Sequence, residues 1–278
     1  MKEGDKKVKE IIFKIRKYDP GKDKEPHWEN YKVPVHKGMT VLDGLHEIKS
    51  GIDSTLGMRY SCRMGVCGSC AMLINGKPSL ACNTQVLHVT SSILCIAPLP
   101  NFKIIRDLVP DLAPMFNKHE SLHPHILREE LEKKYDPQGE HYQSPEDLVK
   151  YLQFAYCIKC GACMAACPTL ATDERYFGPM PLAQGHRYNS DTRDSGFDVR
   201  KNVAGDSHGA FRCHYGGECS RVCPKGVDPA RAIQLMKRDL VFDYLNLKCK
   251  HKPSEPLPKL TEGKRKEGVP NPPAYTVK

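Results

Sequence analysis

Eleven of the thirteen cysteines in this 278-residue chain fall into three runs with different spacings. The first is Cys62-x4-Cys67-x2-Cys70, with Cys82 further on. The second is Cys157-x2-Cys160-x2-Cys163-x3-Cys167, followed by Pro168. The third is Cys213-x5-Cys219-x3-Cys223, followed by Pro224. Thiolates at these intervals are iron–sulfur ligands. A four-residue gap, a two-residue gap and a distant fourth Cys suit [2Fe–2S]; a 2-2-3 run ending in Cys-Pro suits cubane-type clusters. The chemistry is one-electron transfer, and no residue of the chain is assigned bond-making catalysis. The third run is the second with one member absent, because Gly216 stands where a further Cys would fall.

In two-cluster ferredoxins the fourth Cys of each run ligates the other cluster. On that rule Cys157, Cys160, Cys163 and Cys223 hold one centre, and four thiolates suit [4Fe–4S]. Cys167, Cys213 and Cys219 hold the second, and three thiolates suit [3Fe–4S]. Pro168 and Pro224 follow the crossing ligands, where a fixed φ steers the backbone onward. Gly65 and Gly68 sit between ligands of the first run, where a residue without Cβ lets the backbone come close and turn at positive φ. Zinc is the competing metal. Zinc ribbons use two separated ligand pairs, which the first run does not match, and zinc sites are colourless and redox-silent. Cys95 and Cys249 belong to no run and are expected to be buried structural thiols.

The elements that must position these ligands are legible in part. Ile11, Phe13 and Ile15 alternate with polar residues from Val8 to Tyr18 and predict a half-buried strand; Tyr31 to Val35 predicts its return. Thr40 is an N-cap for a helix to Lys49 with Val41, Leu42, Leu45 and Ile48 on one face. A strand over Ala71–Ile74, an Asn75-Gly76 turn and Cys82 after the return complete the first half. The predicted fold class is α+β: a plant-type ferredoxin β-grasp domain over 1–100, a linker over 101–143, an all-helical bacterial-ferredoxin-like domain over 144–248, and an extended or disordered tail over 249–278. In the helical half Ser144 N-caps a helix that has Pro145 at its first position and Glu146 and Asp147 in its first turn, delivering Cys157. A second helix is expected near Pro181–Tyr188. A third runs from Pro229 to about Leu245, with Ile233, Met236, Leu240 and Tyr244 as its core stripe.

Composition excludes other classes. The net charge of +9 is concentrated partly at the ends, in Lys2, Lys6, Lys7 and Lys9 and in Lys259, Lys264, Arg265 and Lys266. Solvated termini account for it; attraction to an acidic partner or to anionic headgroups is the sharper reading. No nucleic-acid motif accompanies the charge. Thirteen cysteines in a chain this long, opening MKEGDKKVKE without an apolar signal segment, favour metal binding in a reducing compartment over a secreted disulfide framework. No apolar run approaches membrane-spanning length.

The order [2Fe–2S], [4Fe–4S], [3Fe–4S] resembles the iron–sulfur subunit of succinate dehydrogenase and fumarate reductase, the complex II family. Three stretches carry the likeness: Tyr60-Ser61-Cys62-Arg63-Met64-Gly65-Val66-Cys67-Gly68-Ser69-Cys70, Ile105-Arg106-Asp107-Leu108-Val109-Pro110-Asp111 and Cys223-Pro224-Lys225-Gly226-Val227-Asp228-Pro229. Phe177-Gly178-Pro179 and His186-Arg187-Tyr188-Asn189 are similar to the fumarate reductase branch. The resemblance implies electron transfer between the FAD of a flavoprotein partner, which interconverts succinate and fumarate, and quinone at membrane anchor subunits with or without haem b. The expected location is peripheral, on the cytoplasmic face of the cell membrane. By motif position the quinone vicinity would include Pro168, His214 and Lys237. Many succinate dehydrogenases carry a Trp near quinone where this chain has Ala171, and its one Trp is Trp28. Competing readings are a stand-alone multi-cluster ferredoxin, the iron–sulfur subunit of a thiol-linked fumarate reductase or heterodisulfide reductase, and a zinc-bound interaction protein. Chains of the thiol-linked type usually append Cys-Cys pairs, which this sequence lacks.

Overall fold

A computed structural model describes residues 9–90, 92–128, 139–141, 143–247 and 256–258. Strand β1 (Lys9–Lys17) buries Ile11, Phe13 and Ile15 completely and turns the residues between them outward, as the period-two pattern requires. Its partner β2 (His27–Val35) starts earlier than the expected Tyr31. The added residues carry no apolar alternation; their pairing with β1 makes them strand, and Lys14 and Arg16 stack over the Trp28 ring. Helix α1 (Val41–Gly51) opens on a capping box: Thr40 Oγ1 accepts from Asp43 N at 3.2 Å, and Asp43 Oδ2 accepts from Thr40 N at 2.9 Å. Its face of Val41, Leu42, Leu45 and Ile48 joins the core of the sheet.

Strands β3 (Ala71–Ile74) and β4 (Lys77–Leu80) form a hairpin about Asn75 and Gly76, both at positive φ. A further strand, β5 (Ile93–Ala97), runs parallel to β1 and antiparallel to β3 and completes the mixed sheet β2-β1-β5-β3-β4. Its residues are apolar almost throughout, so no alternation marks it. Cys95 lies within β5 and is half-buried, not buried as expected.

The stretch read as a linker is folded over much of its length. Strands β6 (Ile104–Arg106) and β7 (Val109–Pro110) make a small hairpin, and α2 (Ala113–Glu120) follows. Buried Asp107 ties the hairpin to the sheet, accepting from Tyr18 N at 2.9 Å and Gly57 N at 2.7 Å. Further on, fully buried Arg200 pairs with Asp194 at 2.7 Å and donates to the carbonyls of Leu122, His123 and His125, which fixes that segment to the helical half. Leu108, Met115 and Leu122 add buried apolar contacts, but they are too widely spaced to make a period, and a hydrophobicity pattern is blind to the polar anchors.

The helical half comprises α3 (Pro145–Ala155), α4 (Ala162–Ala165), α5 (Pro168–Thr172), α6 (Pro179–Asn189), α7 (Phe197–Ala204), α8 (Glu218–Arg221) and α9 (Pro229–Tyr244). Ser144 caps α3 as predicted, with its hydroxyl accepting from Asp147 N at 3.1 Å. Helix α6 runs through the middle, buried from Pro179 to His186. On α9, Ile233 and Met236 are fully buried and Leu240 half-buried, but Tyr244 is 85 % exposed: the helix outruns the core, so the expected stripe ends a turn early. Strands β8 (Gly139–His141) and β9 (Pro256–Pro258) pair antiparallel, so the tail contributes an extended segment. Cys249, the rest of the tail and all the terminal basic residues except Lys9 lie outside the described residues. Phe102 packs against the cores of both halves, and Ala165 of α4 is buried in that of the sheet.

Candidate iron–sulfur sites

The loop from Cys62 to Cys70 curls through three left-handed residues, Arg63, Gly65 and Gly68. This curl points backbone N–H groups inward. Those of Met64, Val66 and Cys67 approach Cys62 Sγ at 3.4, 3.4 and 3.3 Å, and Cys62 N approaches Cys67 Sγ at 3.5 Å. Cys82, in the 3-10 turn after β4, sends its N–H to Cys70 Sγ at 3.5 Å. Donors aimed at sulfur stabilise thiolate. The Ser69 hydroxyl, followed by backbone N–H groups, holds the exposed Cys67 thiol down to about 6. Burial pushes Cys70 up to about 12, and neighbouring Cys82 and Cys67 add to the rise. All four cysteines of the first run therefore meet at the edge of the sheet.

The second and third runs are local twins. Cys157 and Cys213 are each followed two residues later by a left-handed residue, Lys159 and Tyr215. A left-handed glycine then stands two positions further on, Gly161 and Gly217, and opens a four-residue helix, α4 and α8. Within this repeat Gly216 occupies the place of Cys160. A Cβ built on Gly216 would touch only Pro168, at 3.4 Å from Cγ, an ordinary contact.

Two cavities lie between the twins. Cys157, Cys160, Cys163 and Cys223 line one, with Ile158, Met180 and Val227 supplying apolar wall. Cys167, Cys213 and Cys219 line the other, along with Gly216, Tyr176 and Ile233. Burial first, and then the neighbouring sulfurs, push Cys163 well above the ordinary thiol value and Cys160 up to about 11. Burial likewise raises Cys167, and takes Cys219 up to about 11. Converging thiols that resist ionising alone are a donor set suited to a positively charged iron–sulfur core, which compensates the thiolates. An apolar surround of this kind also limits water access, one of the levers on potential.

The three expected quinone-side residues sit differently. Pro168 is exposed at the wall of the second cavity, and exposed His214 follows Cys213, one of the cysteines that line it. Lys237 is half-buried and donates to Cys213 O at 2.8 Å, so it braces a cysteine loop instead of standing free in solvent. Ala171, at the position of the family's Trp, is exposed.

Several supporting residues are invisible to a cysteine search. Asn101, left-handed at φ 63°, donates through Nδ2 to the carbonyls of Met164, Ala165 and Cys167 at 2.9, 3.1 and 3.1 Å. It closes the C-terminal end of α4 from the other half of the molecule. Asp173 accepts from His208 Nδ1 at 3.0 Å and Arg212 Nε at 3.1 Å, which holds the approach to Cys213 against the end of α5. Tyr176 is fully buried with its ring in the core around Cys167 and Cys219. Burial, then the Cys213 and Cys167 sulfurs, raise its phenol far above the ordinary value. Tyr176 lies one residue before the Phe177-Gly178-Pro179 stretch, and only that adjacency signals it.

A mixed sheet with a cysteine loop at its edge, joined to a helical unit with two cysteine-lined cavities, defines an iron–sulfur electron-transfer protein. Comparison with known proteins agrees. The family model described as a 2Fe-2S iron-sulfur cluster binding domain matches residues 12–117, and that of a 4Fe-4S dicluster domain matches residues 153–227. The fumarate reductase iron-sulfur subunit of Mycobacterium tuberculosis is 43% identical over 227 residues, covering 82% of this chain and 91% of its own. That of Escherichia coli O157:H7 is 38% identical over 238 residues, 86% of this chain and 96% of its own. The mitochondrial succinate dehydrogenase [ubiquinone] iron-sulfur subunit of Candida glabrata is 40% identical over 235 residues, 83% of this chain and 91% of its own. Among solved structures, a chain of the Mycobacterium smegmatis Sdh1 complex in the apo form superposes with a TM-score of 0.72 at 26% identity, covering 85% of this chain and 97% of that one. The chain belongs to the iron–sulfur subunits of the succinate dehydrogenase and fumarate reductase family. Among the described residues no helix is long and apolar enough to cross a membrane.

Proposed function

We propose that this chain relays electrons between the FAD of a flavoprotein subunit and a quinone at membrane anchor subunits, as part of a complex that interconverts succinate and fumarate. Three cofactor sites serve the relay. Cys62, Cys67, Cys70 and Cys82 hold [2Fe–2S]; Cys157, Cys160, Cys163 and Cys223 hold [4Fe–4S]; Cys167, Cys213 and Cys219 hold [3Fe–4S]. When bound, these groups supply one-electron carriers, and their potentials depend on cluster type, hydrogen bonds to sulfur and burial. The chain's own part is to fix the ligands, aim N–H groups at sulfur and exclude water. The domain division follows the same logic, with the sheet domain ending near residue 100 and the helical domain starting at Ser144.

The observation that carries this reading is the pairing of the twin loops around two cavities, four thiols on one and three on the other. The loops cross, so each cavity draws a cysteine from both runs. Exposed Pro168, on the wall of the three-thiol cavity, and exposed His214, next to Cys213 in the chain, are proposed to face quinone, with Lys237 steadying Cys213. The proposed site of action is the cytoplasmic face of the membrane, reached through the anchor. One experiment separates this relay from a stand-alone carrier. Purification of the tagged chain from detergent-solubilised membranes is expected to recover a flavin-containing subunit and membrane proteins. Iron should total about nine atoms per chain, two, four and three from the respective clusters. Recovery of the iron-loaded chain alone, with no flavin absorbance, would overturn the assignment to a complex.

A further inference from the structure

Among the described residues, Tyr176 is the large polar side chain that lines the three-thiol cavity from within the core. Its side chain is fully buried, and its hydroxyl meets no nitrogen or oxygen acceptor of ordinary hydrogen-bond geometry among the described residues; the polar atom it faces is the Cys213 sulfur. A buried phenolic O–H without an acceptor costs stability, so such a group is rare unless something absent from the protein chain accepts from it. The same ring lines the cavity with Cys167, Cys213 and Cys219. Its backbone is held at both ends: Tyr176 N donates to Asp173 O at 3.1 Å, and Lys118 Nζ donates to Tyr176 O at 2.7 Å. The tyrosine is thus placed by main-chain contacts that leave its hydroxyl to the cavity. Phenylalanine would fill the same core volume without burying an unpaired donor.

We infer that the Tyr176 hydroxyl donates a hydrogen bond to a sulfur of the centre held by Cys167, Cys213 and Cys219, and so raises that centre's reduction potential. The inference rests on the three-iron reading of this site. The direction follows from charge: reduction adds an electron to the centre, and a donor aimed at sulfur stabilises the more negative state. Tyr176 is a positioning and tuning residue; it carries no electron and supplies no ligand.

The test is Tyr176→Phe in the complete membrane complex, which keeps the ring and removes one oxygen. Redox titration followed by EPR of the oxidised three-iron signal is expected to show a shift to lower potential. At a fixed ambient potential the ratio of reduced to oxidised centre should fall roughly two- to tenfold, the range set by one hydrogen bond of ordinary strength. Pulsed EPR after exchange into D2O should show a coupled deuteron in the wild type that is lost in the variant. Iron content and the [2Fe–2S] potential should not move, which separates tuning from damage to the fold. An unchanged three-iron potential with an unchanged deuteron coupling would overturn the role given to the hydroxyl. Absence of any three-iron signal from the iron-loaded wild type would overturn the ligand reading beneath it.

Discussion

Gly68 of the first cysteine loop abuts Cys160 of the second: a Cβ on Gly68 would stand 2.8 Å from Cys160 Cβ and 3.0 Å from its Cα. The carbonyl of Ile158 closes the third side at 3.1 Å. Two cysteine loops thus meet in close contact, and the glycine sets how near they lie. Gly68 also holds φ at 76°, which an L side chain adopts only at a cost.

Gly68→Ala therefore meets two penalties, and Gly65→Ala meets one. At Gly65, φ is 69° and the nearest atom to a new Cβ is 3.9 Å away. Gly65→Ala is expected to cost about 1–2 kcal/mol from the backbone alone. Gly68→Ala should cost more, because Cys160 and Ile158 must move. Urea unfolding of both variants measures the difference. A second readout is magnetic: relaxation enhancement of the [2Fe–2S] EPR signal by the neighbouring reduced centre should weaken in Gly68→Ala and stay unchanged in Gly65→Ala. Equal destabilisation and unaltered relaxation in both would refute the spacer role.

Asn101 is the polar counterpart of this contact. One amide group answers three carbonyls at the end of α4, including that of Cys167, the ligand assigned to the three-thiol site. Asn101→Ala leaves those acceptors without their donor and is expected to cost roughly 1–3 kcal/mol. Asn101→Asp should be worse, since a carboxylate would face carbonyl oxygens. Thermal unfolding checks the order, wild type above Ala above Asp. Iron release from the helical half is expected to accompany the loss.

The cysteine runs, α1 with its cap, the β3–β4 hairpin and α3 are legible in sequence because each rests on local signals: spacing, a capping residue, an Asn-Gly turn. Residues 101–125 are not. They fold through Leu108, Met115 and Leu122, buried apolar residues too widely spaced to make a period, and through Asp107 and Arg200, buried charges that reach main-chain groups far away in sequence. The short helices α4, α5 and α8 are also silent in sequence, being four or five residues long and shaped by the loops they end. At the candidate sites, cysteine spacing proposes the ligands but none of the residues that orient them. Asn101, Asp173 and Tyr176 belong to no motif, since their partners are main-chain carbonyls, distant side chains or the cavity itself.

Asp173 gives a pH prediction. Its carboxyl carries a burial cost, but hydrogen bonds from His208, the Arg175 N–H and Arg212 outweigh it and hold the pKa at about 2, against 3.8 for an ordinary aspartate. A depressed carboxylate stabilises the fold fully above the unfolded value and loses that contribution as pH falls through the folded one. Asp173→Asn should therefore be less stable than wild type above about pH 4, with the gap closing as pH falls towards about 2. Urea titrations followed by circular dichroism at stepped pH measure the gap. A gap that stayed constant across that window would show that the carboxylate is not held by these donors.

Gly216→Cys tests the ligand assignment most directly. The twin loops place residue 216 where Cys160 stands, with matching left-handed residues before and after it. Gly216 itself is not left-handed, and a Cβ there meets Pro168 at ordinary contact distance, so a cysteine fits without backbone strain. A fourth thiolate at the cavity of Cys167, Cys213 and Cys219 supplies the position that a three-iron centre leaves open. The oxidised three-iron EPR signal is expected to be lost and a reduced four-iron signal to appear at lower potential, with quinone reduction slowed. Gly216→Ser, with a hydroxyl of similar size, controls for bulk and should leave most of the three-iron signal in place. An unchanged three-iron signal in Gly216→Cys would show that residue 216 does not face the centre, and the crossing of the two runs would have to be redrawn.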